Sequence, residues 1–168
     1  MRTIRSFWKI WLCLAPLLLA GCAHTLQYPP FPDQAKKIDD PTKARVYVMR
    51  KEKFFGSAVG IQFFGASSDG IATGPIVARS PKKRLIGEIG PASFICWEQA
   101  PGPFVFTTIE DNPNSVETLN LEAGNVYYLR VYIHSGWTTA TVRAKVLDEK
   151  EGAQLLKHCQ PPDDYRKK

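Results

Sequence analysis

Two alternating segments near the end of the chain constrain the fold more than any other feature. Residues 126–134 (VYYLRVYIH) and 139–147 (TATVRAKVL) flank Ser135-Gly136-Trp137-Thr138. A glycine at the first central position favours a two-residue type II′ turn, which joins two antiparallel strands. This turn predicts a core face on which four apolar residues of each strand oppose each other: Tyr127, Leu129, Val131 and Ile133 opposite Val146, Ala144, Val142 and Ala140.

Short runs of the same kind fill the chain ahead of this hairpin. Clusters of Gly, Pro and Asn separate them, and this spacing is typical of an antiparallel β-sandwich. In the first run, Ala44, Val46 and Val48 alternate and share one side. We therefore predict a mainly β domain over residues 44–160, with strands at 44–50, 59–64, 74–78, 85–89, 92–98, 104–109 and 116–122.

The pattern changes to a helical period after the hairpin. Asp148 followed three residues later by Glu151 predicts a helix N-terminus of the capping-box kind, and Leu155 and Cys159 share a face at the i, i+4 spacing. Gly152 is expected to weaken this short helix by about 1 kcal/mol. The tail, residues 161–168 (PPDDYRKK), is predicted to be disordered.

The N-terminal 21 residues have the composition of a secretory signal peptide. A basic flank with Arg2, Arg5 and Lys9 precedes an apolar run over residues 10–21. As a helix this run would span about 18 Å, which is short of the roughly 30 Å hydrocarbon core of a bilayer. The alternative is a short membrane anchor that is retained.

The apolar run ends in Leu19-Ala20-Gly21-Cys22. This segment resembles the lipobox of bacterial lipoproteins. The resemblance implies that Cys22 carries the lipid and becomes the first residue of the mature chain. It also implies that Ala23, in the place where an aspartate would retain the protein, directs it to the outer membrane. Several acyl chains would give stable attachment.

Residues 22–43 contain four prolines and few aliphatic residues, so we predict a semi-extended tether between lipid and domain. The leader carries three of the 22 basic residues, which leaves 19 against 16 acidic ones, a net charge of +3. This modest charge is weak evidence for nucleic-acid binding, and no nucleic-acid partner is expected.

Four cysteines are present, of which Cys13 leaves with the leader and Cys22 is assigned to the lipid. In an oxidising periplasm, the remaining Cys96 and Cys159 are expected to form a disulfide. Two buried free thiols are the alternative.

The outer face of the predicted hairpin is basic and aromatic, and the turn places Arg130 opposite Arg143. Like charges in this position repel each other. The face is either solvated, with rings covering the charged stems, or a binding face for a glycan, a lipid headgroup or an acidic protein. Its candidate residues are Tyr128, Arg130, Tyr132, His134, Arg143 and Lys145.

Four stretches resemble a family of bacterial lipoproteins that is classed as a domain of unknown function. They are ARVYVMR from residue 44, Gly87-Glu88-Ile89, Pro101-Gly102, and AGNVYYLR from residue 123. The resemblance spans about residues 44–156 and implies a transthyretin- or PEGA-like sandwich. It implies no catalytic residues.

No group of residues has the spacing of a known catalytic or metal site, so neither catalysis nor a cofactor is expected. His24, His134 and His158 lack metal-ligand spacing, and residues 65–70 (GASSDG) do not match a nucleophile elbow. The basic segment 79–84 is either a solvated hairpin end or a contact for lipid phosphate.

The sequence therefore predicts a lipid-anchored, non-enzymatic binding or scaffold module of the cell envelope, with an envelope protein or a glycan as partner. The alternatives are an envelope hydrolase that uses Cys96 or Ser67 as nucleophile, and a structural accessory lipoprotein with no ligand.

Overall fold

The computed structural model describes residues 23–52, 59–67, 84–108, 117–135 and 140–165. The leader, Cys22, and the predicted strand at 74–78 lie outside these residues. The elements in chain order are β1 Leu26–Gln27, β2 Ala44–Arg50, β3 Ile61–Ser67, β4 Arg84–Ile89, β5 Ser93–Gln99, β6 Gly102–Thr107, β7 Glu117–Leu121, β8 Val126–Ser135, β9 Ala140–Leu147, α1 Glu149–Leu156 and a 3-10 turn Asp163–Tyr165.

The described strands form two sheets that pack as a sandwich, as the sequence predicts. One sheet has the order β1-β4-β3-β6-β7 and the other the order β5-β2-β8-β9. Pairing is antiparallel except between β2 and β8, which run parallel. Ala44, Val46 and Val48 lie in the core between the sheets, together with Phe63, Ile86, Ile95, Trp97, Phe104, Phe106, Leu129 and Val131.

Strands β8 and β9 form the predicted hairpin, but in a register shifted by two residues. Leu129 pairs with Val146, Val131 with Ala144, and Ser135 with Ala140. Four residues instead of two therefore separate the last pair, and the predicted type II′ pairing is wrong. The shift keeps each side chain on its predicted face because alternation has a period of two, so the hydrophobic pattern could not reveal it. Val146 is 40% exposed and does not join the core.

Residues 23–43 pack on the sandwich, so the predicted tether is wrong for this segment. Thr25 is buried, and its Oγ1 lies 2.6 Å from the hydroxyl oxygen of Ser93. The side-chain amide of Gln27 donates to the Cys96 carbonyl and accepts from the Cys96 N–H, both at 2.7 Å. Cys96 lies on β5, the edge strand of its sheet. The segment thus covers backbone groups that an edge strand leaves unpaired.

A buried ion pair fixes the middle of this N-terminal segment. The Arg45 side chain is fully buried, and its Nε and Nη2 donate to Oε1 of Glu98 at 2.9 and 2.8 Å. Its Nη1 donates to the carbonyls of Asp33 and Lys36 at 3.0 and 2.7 Å. The Glu98 carboxylate accepts the backbone N–H of Asp39 at 2.7 Å. Charged hydrogen bonds therefore hold this part of the segment, in addition to the packing of Phe31 on Phe94.

The C-terminal helix begins as predicted. Asp148 is its N-cap, and Oδ1 of Asp148 accepts the Glu151 N–H at 2.7 Å. The following residues pack on the domain as far as Tyr165, so a disordered tail is wrong for residues 161–165. The Asp163 N–H donates to the Thr25 carbonyl at 3.1 Å, and the Tyr165 ring stacks on Phe31 with 4.7 Å between centroids.

Candidate functional site: a basic groove beside the C-terminal helix

Helix α1 lies on the outer face of the four-stranded sheet, and Gly152 makes the close contact. A Cβ atom at this position would lie 2.2 Å from Cγ of Tyr128. Tyr128 in turn stacks on Tyr47, with centroids 5.4 Å apart and planes within 10°. The helix therefore covers Tyr128, which corrects its assignment to an open binding face.

The helix and the sheet form a groove of about 360 Å³ where they diverge. This volume lies within the range of small-molecule sites. Residues of β8 and β9 and the residue after β2 line one wall, and α1 with the turn after it lines the other. The lining residues are Lys51, Arg130, Lys145, Leu147, Glu151, Gln154, Leu155 and His158.

Three permanently cationic side chains and one carboxylate line this groove. Arg130 lies directly opposite Lys145 in the β8–β9 register, instead of opposite Arg143 as predicted. The Nε–H of Arg130 is buried and has no hydrogen-bond partner among the described residues. Its guanidinium carbon lies 5.9 Å from the ring centroid of Tyr132. A buried donor without an acceptor destabilises the folded state.

The structure brings together two of the six predicted binding residues, Arg130 and Lys145. Tyr132, His134 and Arg143 share the sheet face but do not line the groove. The sequence analysis did not identify Lys51, Gln154 and His158. Lys51 lies beside Arg130 because β2 pairs in parallel with β8, and the other two residues are brought there by the packing of α1 and the turn that follows it. Gly152 could have indicated this packing from the sequence, since a glycine inside a short helix suggests close approach to another element.

The predicted disulfide between Cys96 and Cys159 is not formed, and both residues are free thiols. Gln160, which follows Cys159, bridges to Ser93 in parallel. Ser93 lies three residues from Cys96 along β5, which is about 10 Å at the rise of a strand. Because Cys159 precedes Gln160, it lies still farther from Cys96, beyond the roughly 7 Å Cα separation that a disulfide tolerates.

Burial keeps both thiols protonated. It raises the pKa of Cys96 to about 12 and that of Cys159 to about 11. Cys96 is fully buried under the Gln27 side chain, whereas Sγ of Cys159 lies 3.7 Å from the Arg50 carbonyl oxygen. A nucleophilic cysteine needs a lowered pKa and access to its substrate, and Cys96 has neither.

Alkylation of the native protein tests this assignment of the thiols. We expect iodoacetamide at about pH 8 to leave Cys96 unmodified and to modify Cys159 slowly, because the thiolate is the reactive form. In denaturant both residues should react within the same time, as read by mass spectrometry of tryptic peptides. Rapid stoichiometric labelling of native Cys96 would instead support the hydrolase alternative.

The other sequence candidates lie apart from the groove. Ser67 is the last residue of β3, and its side chain and residues 68–70 lie outside the described residues. His24 is 3.1 Å from the Asp163 carboxylate, and His134 is exposed near the end of β8. Of the basic segment 79–84, only Arg84 is described.

The described residues contain neither a metal site nor a membrane-spanning helix. No group of three or more His, Cys, Asp or Glu side chains is placed to hold a metal ion. Among the helices in the described ranges, none is both long enough and apolar enough to cross a membrane.

Comparison with known proteins gives no match to a family model, a curated protein or a solved structure.

Proposed function

We propose that this protein is a lipid-anchored, non-enzymatic binding module of the bacterial cell envelope, with the groove beside α1 as its ligand site. The proposed cellular location rests on the likeness of Leu19-Ala20-Gly21-Cys22 to a lipobox that follows a basic and apolar leader. The likeness of four stretches within residues 44–156 to a family of bacterial lipoproteins is consistent with the same cellular location. Attachment through Cys22 would hold the domain at the outer membrane, facing the periplasm.

The observation that supports the binding role is the grouping of Lys51, Arg130 and Lys145 in one groove, where Glu151 is the single carboxylate. An anionic group such as a phosphate or a carboxylate would accept hydrogen bonds from these side chains and reduce the repulsion between the cations. Leu147 and Leu155 line the same groove and suit a short apolar portion of the ligand. We therefore assign the ligand to the class of small amphipathic anions, or to an acidic group that an envelope partner presents.

Titration with glycerol 1-phosphate tests the groove. We expect localised changes in the amide NMR resonances of β8, β9 and α1. In an Arg130→Gln/Lys145→Gln double variant, the affinity should fall by at least about tenfold, since each charged hydrogen bond contributes about 1.5–3 kcal/mol.

Arg143→Gln/Lys150→Gln is the matched control, because it removes the same charge from exposed residues that do not line the groove. It should bind as the wild type does. Equal loss in the control and in Arg130→Gln/Lys145→Gln would show that only overall charge matters. Absence of any localised change in the wild type would refute the groove as an anion site.

A further inference from the structure

We infer that the domain is held directly against its own membrane, and that the cations of the groove bind the headgroups of anionic phospholipids there. This inference rests on the proposed acylation of Cys22 and specifies the ligand of the proposed site. Three observations support it. Ala23 packs on the domain, Lys51 and His158 of the groove lie near the same end of the sandwich, and the groove is mainly cationic.

The structure leaves no spacer between lipid and domain. The Ala23 carbonyl packs so closely on Gly90 that a Cβ at Gly90 would lie 2.4 Å from its oxygen. Thr25, two residues on, is buried, and its Oγ1 accepts the Gly90 N–H at 3.0 Å. Cys22 precedes Ala23 by one peptide unit, or about 3.8 Å between Cα atoms. Acyl chains on Cys22 would therefore bring this end of the sandwich to the bilayer surface.

Two residues of the groove, Lys51 and His158, lie near the same end. Lys51 follows directly after Arg50, whose partner on β5 is Ser93. His158 lies two residues before Gln160, whose N–H donates to the Ala92 carbonyl at 2.7 Å. Both groove residues are thus joined by short connections to the β4–β5 turn on which Ala23 packs.

The opposite end of the sandwich is marked by Ala44 and by the turn at Gly124. The Gly124 N–H donates to the Lys43 carbonyl at 2.8 Å. Six residue steps of β2 separate Ala44 from Arg50, which is about 20 Å at the rise of a strand. The two ends therefore differ in their distance from the membrane by more than the thickness of a headgroup layer.

Charge complementarity selects the occupant. Lys51, Arg130 and Lys145 outnumber the single groove carboxylate of Glu151. Attraction between exposed charges fades over a Debye length, about 8 Å at physiological ionic strength. A domain on a long tether would lie outside this range, whereas a domain without a spacer lies within it.

Fluorescence quenching on vesicles tests the orientation. The full chain is produced in a bacterium that acylates lipoproteins, purified in detergent and reconstituted into phosphatidylcholine vesicles. A bimane label is placed at Asp164→Cys, at the anchored end, or at Ala123→Cys, at the opposite end, in a Cys159→Ser background. Nitroxide on the lipid headgroup should quench the label at residue 164 and leave that at residue 123 unquenched.

A spacer variant provides the matched control. Inserting about twelve Gly and Ser residues between Cys22 and Ala23 adds a mean reach of about 20 Å. This insertion should abolish the preferential quenching at residue 164 while the acyl mass is retained. Equal quenching of both labels in the acylated wild type would overturn the inference. An unacylated chain would instead refute the proposed attachment to the membrane through Cys22.

Lipid composition tests the groove. Adding phosphatidylglycerol should increase quenching at residue 164 in the wild type. This increase should be lost in Lys51→Gln/Lys145→Gln and kept in Lys37→Gln/Lys150→Gln, which removes the same charge from exposed positions outside the groove. If the groove binds soluble glycerol phosphate but phosphatidylglycerol has no effect, the ligand is a free anion and the headgroup assignment is wrong.

Discussion

Replacing Arg45 with alanine is expected to lower the free energy of unfolding by about 3–5 kcal/mol, the cost of breaking a buried ion pair by removing one partner. The substitution leaves the Glu98 carboxylate, whose side chain is 8% exposed, without its guanidinium partner. It also removes the donor to the carbonyls of Asp33 and Lys36. Urea unfolding followed by circular dichroism measures the loss.

Arg84→Ala is the control for this experiment, because Arg84 is an exposed arginine on β4. It should change the unfolding free energy by no more than about 0.5 kcal/mol. Tryptic cleavage after Lys36 and Lys37 provides a second measurement, and Arg45→Ala should accelerate it because the segment loses its fixed point. An Arg45→Ala protein that matches the control in both respects would show that the N-terminal segment is held by other contacts.

The second large effect is expected at Gly152. Helix propensity and packing predict opposite signs for the change in unfolding free energy when this residue is replaced with alanine. Alanine in place of an interior helical glycine stabilises by about 1 kcal/mol on propensity alone. Here the new Cβ would lie 2.2 Å from Cγ and 2.4 Å from Cβ of Tyr128. Neither atom is the free end of a flexible side chain, so the helix must move. Gly152→Ala should therefore destabilise by about 1–3 kcal/mol, as overpacking does.

Ala153→Gly is the matched reverse change at the neighbouring position. It should lower the free energy of unfolding by about 1 kcal/mol because glycine has a low helix propensity. This result would show that α1 follows helix propensity where no close packing intervenes. Gly152→Ala should also weaken glycerol phosphate binding, because a displaced helix carries His158 and Gln154 away from Arg130. Thermal denaturation and the NMR titration measure the two effects. A stabilised Gly152→Ala protein would contradict the close packing of α1 on Tyr128.

The strands and the faces of the sandwich could be predicted from sequence because both follow from local alternation. The apolar positions of β2 and the cap at Asp148 are local patterns of this kind. Register could not be obtained in the same way. Pairing Leu129 with Val146 or with Ala144 buries the same face, so only the length of the connecting loop separates the two arrangements.

The N-terminal segment was misjudged because its anchoring groups are polar. Four prolines and few aliphatic residues are typical of a tether, yet Gln27 and the Arg45–Glu98 pair hold the segment through hydrogen bonds. Nothing in the local pattern reveals which distant backbone a side-chain amide will pair with. The groove was missed for a related reason, since Lys51 and His158 meet only when α1 packs on the sheet.

The disulfide prediction failed because it rested on the compartment and on the count of cysteines. Neither argument says how far apart Cys96 and Cys159 lie in the folded chain. The bridge between Ser93 and Gln160 fixes the C-terminal segment on β5 so that the two thiols are held apart. Burial and a raised pKa slow the oxidation of thiols, so Cys96 and Cys159 would remain free even in an oxidising compartment.

The intact mass of the protein isolated from bacterial membranes tests the central claim most directly. We expect a chain that begins at Cys22, lacks residues 1–21, and carries the mass of a diacylglycerol and an amide-linked acyl chain. A chain that still contains the leader and has an unmodified Cys22 would contradict it.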